Sequence, residues 1–301
     1  MDTKSKKILN SVVTRLANPN ENERHYTSQS PQGLPSLHNI KRMIHLLWQI
    51  IFPELYNEES VITAKPEYRI GFTCESLFEL LLKEITIAVE CYNFNAKLPD
   101  NSDTLKRTTE IIKFLPELKR IIYTDITAIM RKDPAAGNEI EIILCYPAIK
   151  AMLHYRFAHF LFEKNIPFLP RIISELAHSL TGIDIHPGAK IDEYFAIDHG
   201  TGVVIGETCV IGKNVTIYQG VTLGAKNFRY DETGLPLNIA RHPIIEDNVT
   251  IYSNASVLGR ITIGHDSIIG GNVWITDNVQ PYSRIIQGVT RHEKFTDGAG
   301  I

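Results

Sequence analysis

From about residue 36 to 180 the apolar positions return every three to four residues, the spacing of a helix that buries one face. Leu77, Leu81, Ile85 and Ala88 form one such stripe, and Ile111, Leu115, Leu118, Ile122 and Ile126 another, interrupted by Pro116, which predicts a kink or a split. Two further helices are expected at about 138 to 163 and 168 to 180, the last closed by Gly182. The first 35 residues, rich in Asn, Ser, Glu and Pro, read as a mobile arm ahead of a helical domain over 36–181.

Beyond residue 182 the period changes to six. Ile185, Ile191 and Ile197 keep the beat, Ile205, Ile211, Ile217 and Leu223 continue it, and Ile245, Ile251, Val257, Ile263, Ile269 and Ile275 resume it. Turn-forming residues follow the aliphatic ones, as in "IGET", "IGKN" and "IGHD". Such a repeat predicts a parallel β-helix in which each hexapeptide is one short strand plus a corner, and each coil buries the aliphatic row of its neighbours. The fold class expected is therefore α+β, with an all-helical domain followed by a β-helix over 182–288 and a flexible tail over 289–301.

The beat breaks twice. The step from Ile197 to Ile205 is eight residues, and the step from Leu223 to Ile245 is 22, leaving a protruding loop at 225–240. A coil of fixed circumference must push both insertions outward, and loops on a rigid scaffold are where chemistry tends to sit. The first break carries Asp198-His199 and the second ends in Arg241-His242.

Composition narrows the class. A net charge of −3 over 301 residues argues against a nucleic-acid partner. The four cysteines, Cys74, Cys91, Cys145 and Cys209, lie far apart without zinc or disulfide spacing. No apolar run approaches the roughly 20 residues of a membrane span, and the polar start lacks a signal-peptide core. The reading is a cytoplasmic protein with no membrane or nucleic-acid partner.

The segments "DPAA" (133–136), "GIDIHPGAKI" (182–191), "IDHGTGVVIGET" (197–208), "QGVTLGA" (219–225) and "RHP" (241–243) resemble, in order, the serine O-acetyltransferases of cysteine biosynthesis, members of the hexapeptide-repeat acyltransferases. That resemblance implies a left-handed β-helix, transfer of an acetyl group from acetyl-CoA to L-serine, no metal, and a homotrimer or dimer of trimers. Such a reaction needs a base for the serine hydroxyl, and imidazole suits it near neutral pH. His199 is the candidate, oriented through its other nitrogen by Asp184, as the resemblance assigns. A corner role is the alternative for both.

Serine is a zwitterion, so its site needs both signs of charge. Arg241 offers a planar fork for the carboxylate. The resemblance gives the ammonium to Asp133 and Asp198, and sets His242 beside the reacting hydroxyl. Asp133 before Pro134 also reads as a helix N-cap, and His242 as a loop-end residue. By the same resemblance Gly224, Ala225, Ser253 and Asn254 would flank the coenzyme arm, and a backbone N–H near Gly224 would serve the oxyanion. Lys226, Arg229 or Arg260 could meet the phosphates.

The chain departs from the family pattern in its long 225–240 loop, in "IIQGVTR" where "GVPAR" is common, and in its N-terminal arm. It ends in "TDGAGI", and the resemblance implies a tail whose Ile301 enters the active site of O-acetylserine sulfhydrylase. Competing readings are an acetyltransferase for a sugar or other small hydroxyl acceptor, a prism-type zinc enzyme drawing on His186, His199, His242, His265 and His292, and a non-catalytic binding protein.

Overall fold

The computed structural model describes residues 1–20, 23, 33–55, 65–96 and 103–288. The tail at 289–301, with Ile301 and His292, and most of 21–32 in the expected arm lie outside the described residues. Among the described residues, seven helices, α1 (Thr3–Ala17), α2 (Leu37–Ile51), α3 (Pro66–Ala96), α4 (Thr104–Lys132), α5 (Glu139–Cys145), α6 (Pro147–Glu163) and α7 (Leu169–Thr181), precede fourteen short strands.

The chain divides into two compact units, Met1–Ile112 with Ile166–Leu169, and Lys113–Asn165 with Pro170–Ile301. In the first, α2 and α3 pack together through Ile40, Met43, Leu47 and Ile51 against Leu77, Leu81, Ile85 and Ala88, all fully buried. Ser36 caps α2, and the buried Glu84 carboxylate accepts from the Ser36 N–H at 2.7 Å and the Asn39 amide at 2.6 Å. At the start of the chain Thr3–Ala17 is helical, with Asp2 as its N-cap and none of its residues buried.

Of the kink or split expected at Pro116, the split does not occur, and α4 continues through it. Conversely, the stretch expected as one helix from 138 to 163 splits at Tyr146, because Pro147 forces its predecessor into extended backbone and then opens α6 at its first position.

In the second unit the chain winds into a left-handed parallel β-helix of three flat sheets: β1-β4-β7-β10-β13, β2-β5-β8-β11 and β3-β6-β9-β12-β14. The strands span 184–185, 190–191, 196–198, 204–205, 210–211, 216–218, 222–224, 244–245, 250–251, 256–258, 262–263, 268–269, 274–275 and 284–285, in the order β1 to β14. The hexapeptide aliphatics stack in register, Ile185 on Ile205, then Leu223, Val257 and Ile275 in the first sheet, with equivalent columns through Ile191 and Ile197 in the other two. Val203, Cys209, Val215, Val221, Val249 and Ala255, two residues earlier in each repeat, share the same buried interior. Asn214, Asn248, Asn254 and Asn272 hold left-handed backbone at the corners, which their short polar side chains tolerate. Pairing sets the insertions outside the prism: Ile197 and Ile205 keep their columns although two extra residues separate them, and so do Leu223 and Ile245 across the long loop.

Candidate active site

The first break lies on the edge where the third sheet passes into the first. β3 ends at Asp198, and His199 and Gly200 both take left-handed backbone, with φ of 55° and 88°. Gly200 is required there twice over, since a Cβ would also meet Ile183 Cδ1 at 2.5 Å. The turn lifts the imidazole off the prism: the His199 side chain is 73% exposed, with Nε2 4.0 Å from Asp198 Oδ1.

Asp133 faces the same space. It is not a helix N-cap; it closes a turn after α4, its Oδ1 accepting from the Ala135 N–H at 2.8 Å, while Asn138 caps α5. Its Oδ2 accepts from the Tyr146 hydroxyl at 2.6 Å. That hydrogen bond pushes the Tyr146 pKa up to about 12, because ionised phenol would face a carboxylate. Asp133, Tyr146, Ile197, Asp198, His199 and Thr201 line a cavity of about 510 Å³. Two carboxylates and an exposed imidazole thus converge there.

Asp184 opens β1, its N–H donating to the Val203 carbonyl at 2.9 Å. No oxygen of its carboxylate comes within 4.0 Å of a His199 ring nitrogen. Its carboxylate shares space instead with Glu175 and His178 of α7, the three ligand atoms lying within 4.8 Å of one another. That trio is the one group with metal-ligand spacing among the described residues, and it contains none of the five histidines weighed for a zinc centre.

The second cluster sits on a different edge, where the first sheet passes into the second. Thr208, between β4 and β5, organises it. Its hydroxyl accepts from the N–H groups of Arg241 at 2.9 Å and His242 at 3.1 Å, and its own N–H donates to His242 Nδ1 at 3.0 Å. A backbone N–H can only donate, so Nδ1 is an acceptor and the His242 proton is on Nε2. Burial, with the Arg241 charge second, lowers the His242 pKa to about 4. The Arg241 guanidinium meets Glu207 Oε2 at 2.7 Å, and its buried Nε has no hydrogen-bond partner among the described residues. Arg260, a candidate for phosphate, donates instead to the Thr208 and His242 carbonyls at 2.7 and 3.0 Å.

The coenzyme candidates divide between the same two edges. Ser253 and Asn254 follow β9 on the His199 edge, above Tyr218 and Tyr252, whose rings stack at 5.0 Å; Tyr218 is in register with Asp198. Gly224 and Ala225 leave β7 on the Arg241 edge, where the Gly224 carbonyl accepts from the Gly259 N–H at 2.9 Å. The long loop beyond is internally ordered: Asp231 Oδ1 accepts from Thr233 and Leu235 N–H groups, Tyr230 bridges Pro236, and Phe228, Tyr230 and Leu235 are exposed.

One chain therefore brings Asp133, Asp198 and His199 together, and separately Arg241 and His242; the latter pair does not line the first cavity. Sequence reasoning missed Tyr146, Glu207 and Thr208. The last two stand inside "VVIGET" but read only as a corner, since their bonds reach 34 residues along the chain.

Residues 242–277 match the family model described as bacterial transferase hexapeptide (six repeats), and residues 202–226 the hexapeptide repeat of succinyl-transferase. "Serine acetyltransferase, plasmid" of Synechococcus elongatus is 42% identical over 302 residues, covering 97% of this chain and 95% of the relative. The structure superposes on serine acetyltransferase isoform 3 of Entamoeba histolytica in complex with cysteine, with a TM-score of 0.71 at 31% identity over 96% of this chain and 94% of the other. A serine acetyltransferase in complex with CoA gives 0.53 at 25% identity over 82% and 97%. Identity at that level along nearly the whole length, on a shared β-helix, means that the chain belongs to the serine acetyltransferase family.

Proposed function

We propose that this protein transfers the acetyl group of acetyl-CoA to the hydroxyl of L-serine, giving O-acetyl-L-serine and CoA, a step that leads from serine toward cysteine. The observation that carries the reading is the convergence of Asp133 and Asp198 on one cavity beside an exposed His199. Two anions suit an ammonium group, and the imidazole next to them suits the hydroxyl one carbon away. His199 takes the hydroxyl proton as the oxygen attacks the thioester carbonyl, and Asp184 orients the ring after a rotation that its exposure leaves free. Backbone N–H groups near Gly224 stabilise the oxyanion. Collapse breaks the C–S bond, and the proton on His199 passes to the CoA thiolate. The fold and family support acetyl-CoA as cosubstrate, held by Gly224, Ala225, Ser253 and Asn254, and the reaction uses no metal.

The carboxylate partner comes from the other edge. Arg241, with a buried Nε unpartnered among the described residues and a neutral His242 beside it, is prepared for an anion but lies on a different prism edge from His199. In a homotrimer, or a dimer of trimers, neighbouring prisms set unlike edges against each other, so His199 of one chain would face Arg241 of the next. A cytoplasmic location and a tail that engages O-acetylserine sulfhydrylase through Ile301 complete the reading.

The test is product identification by mass spectrometry with acetyl-CoA and either L-serine or small sugars. O-acetyl-L-serine formed with serine alone is the expected result. Acetylated sugar without acetylated serine overturns the substrate assignment.

A further inference from the structure

We propose that the buried ion pair Asp125–Arg156 is a positioning device for the substrate's ammonium group, fixing the gap between Asp133 and Asp198; the inference rests on the amino-acid site proposed above. Arg156, on α6, and Asp125, on α4, are 6% and 0% exposed at their side chains. The guanidinium uses four donor directions: Nε and Nη2 to the two Asp125 oxygens at 3.2 and 3.0 Å, Nη2 to the Asp192 carbonyl at 2.7 Å, and Nη1 to the Ile191 carbonyl. Asp125 Oδ1 also accepts from the Phe195 N–H at 3.1 Å.

Around this pair the same two helices grip the same coil. Thr124 Oγ1 accepts from the Tyr194 N–H at 3.2 Å, and the Tyr155 hydroxyl donates to the Ala189 carbonyl at 2.7 Å and accepts from the Ile191 N–H at 3.1 Å. Every one of these bonds falls on residues 189–195, and three residues after Phe195 the coil ends in Asp198. At the other end of the linkage, α4 runs from Asp125 to Lys132, about 10 Å of stiff helix, and Asp133 is the next residue. The two carboxylates share a cavity but no hydrogen bond joins them, so their separation is inherited from what clamps α4 to the coil.

Stability alone is a poor account of the pair. A buried ion pair gains little net free energy over apolar residues of the same volume, whereas its fork geometry admits only one arrangement of its partners. Lysine cannot reproduce the four directions.

The experiment compares the parent, Arg156→Lys and the double variant Asp125→Leu/Arg156→Met, which removes both charges together and so leaves neither one buried alone, with folding checked by circular dichroism and thermal melting. Steady-state kinetics are read for L-serine and acetyl-CoA, with 3-hydroxypropionate, serine without its amino group, as a competitive inhibitor. Both variants are expected to raise the KM for L-serine about tenfold, while kcat, the KM for acetyl-CoA and the inhibition constant of 3-hydroxypropionate stay within about twofold of the parent. Equal weakening of serine and 3-hydroxypropionate, or parent-like kinetics in a folded double variant, overturns the proposal. Absence of serine turnover in the parent would instead overturn the functional reading beneath it.

Discussion

Substituting Gly206 by alanine probes the Arg241–His242 cluster from its underside. A Cβ at this position would stand 2.0 Å from His242 Cδ2 and 2.2 Å from Nε2. Carbon atoms meet at about 3.5 Å, so the ring must retreat by about 1.5 Å. It is 7% exposed and held at Nδ1 by the Thr208 N–H, so retreat breaks that bond. Overpacking costs about 1 to 3 kcal/mol and the lost hydrogen bond about 1 kcal/mol, together about 2 to 4 kcal/mol. For a unit of this size, melting should fall by about 5 to 15 °C. If the ring abuts the reacting hydroxyl, a shift of this length should also lower kcat/KM for serine about 100-fold. Differential scanning calorimetry and a thiol-release assay read both. A variant that melts within about 2 °C of the parent and turns over normally would refute the placement of His242.

Tyr146→Phe removes the hydroxyl that holds Asp133; the KM for L-serine should rise about fivefold with kcat little changed, measured by initial rates. Arg241→Lys keeps the charge but loses the fork, and kcat/KM for serine should fall about 10- to 100-fold; a change under threefold contradicts carboxylate binding there. His242 is neutral in the folded protein down to about pH 4 but titrates near 6.5 when unfolded, so the unfolded state binds the proton first as pH falls. The stabilisation is complete above pH 6.5 and is lost toward pH 4, so melting temperature in that window should fall more steeply for the parent than for His242→Asn.

What was legible in the chain was what repeats locally. The six-residue beat of Ile205, Ile211, Ile217 and Leu223 gave strand order and register, because one coil stacks on the next with no choice of partner. The breaks in that beat pointed at His199 and Arg241 for the same reason. Tyr146 was hidden because its hydroxyl meets Asp133 across the whole of α5, 13 residues along the chain. On the residues alone Asp133 before Pro134 reads as a helix cap, but a turn follows it and the next helix begins after Asn138, its own cap. Pro116 does not split α4, whose helix continues on both sides of it, and the proline itself lies exposed. Thr208 and Glu207 became visible only once the long loop had returned Arg241 to their edge.

The most direct test of the account is complementation between two inactive chains, His199→Ala and Arg241→Ala. If each site takes His199 from one subunit and Arg241 from the next, mixing the two under conditions of subunit exchange builds some sites with both residues intact. Activity should return to roughly a quarter of the parent's for an equimolar random trimer. Mixtures that exchange subunits, as native mass spectrometry would show, yet stay inactive would contradict a site shared between chains.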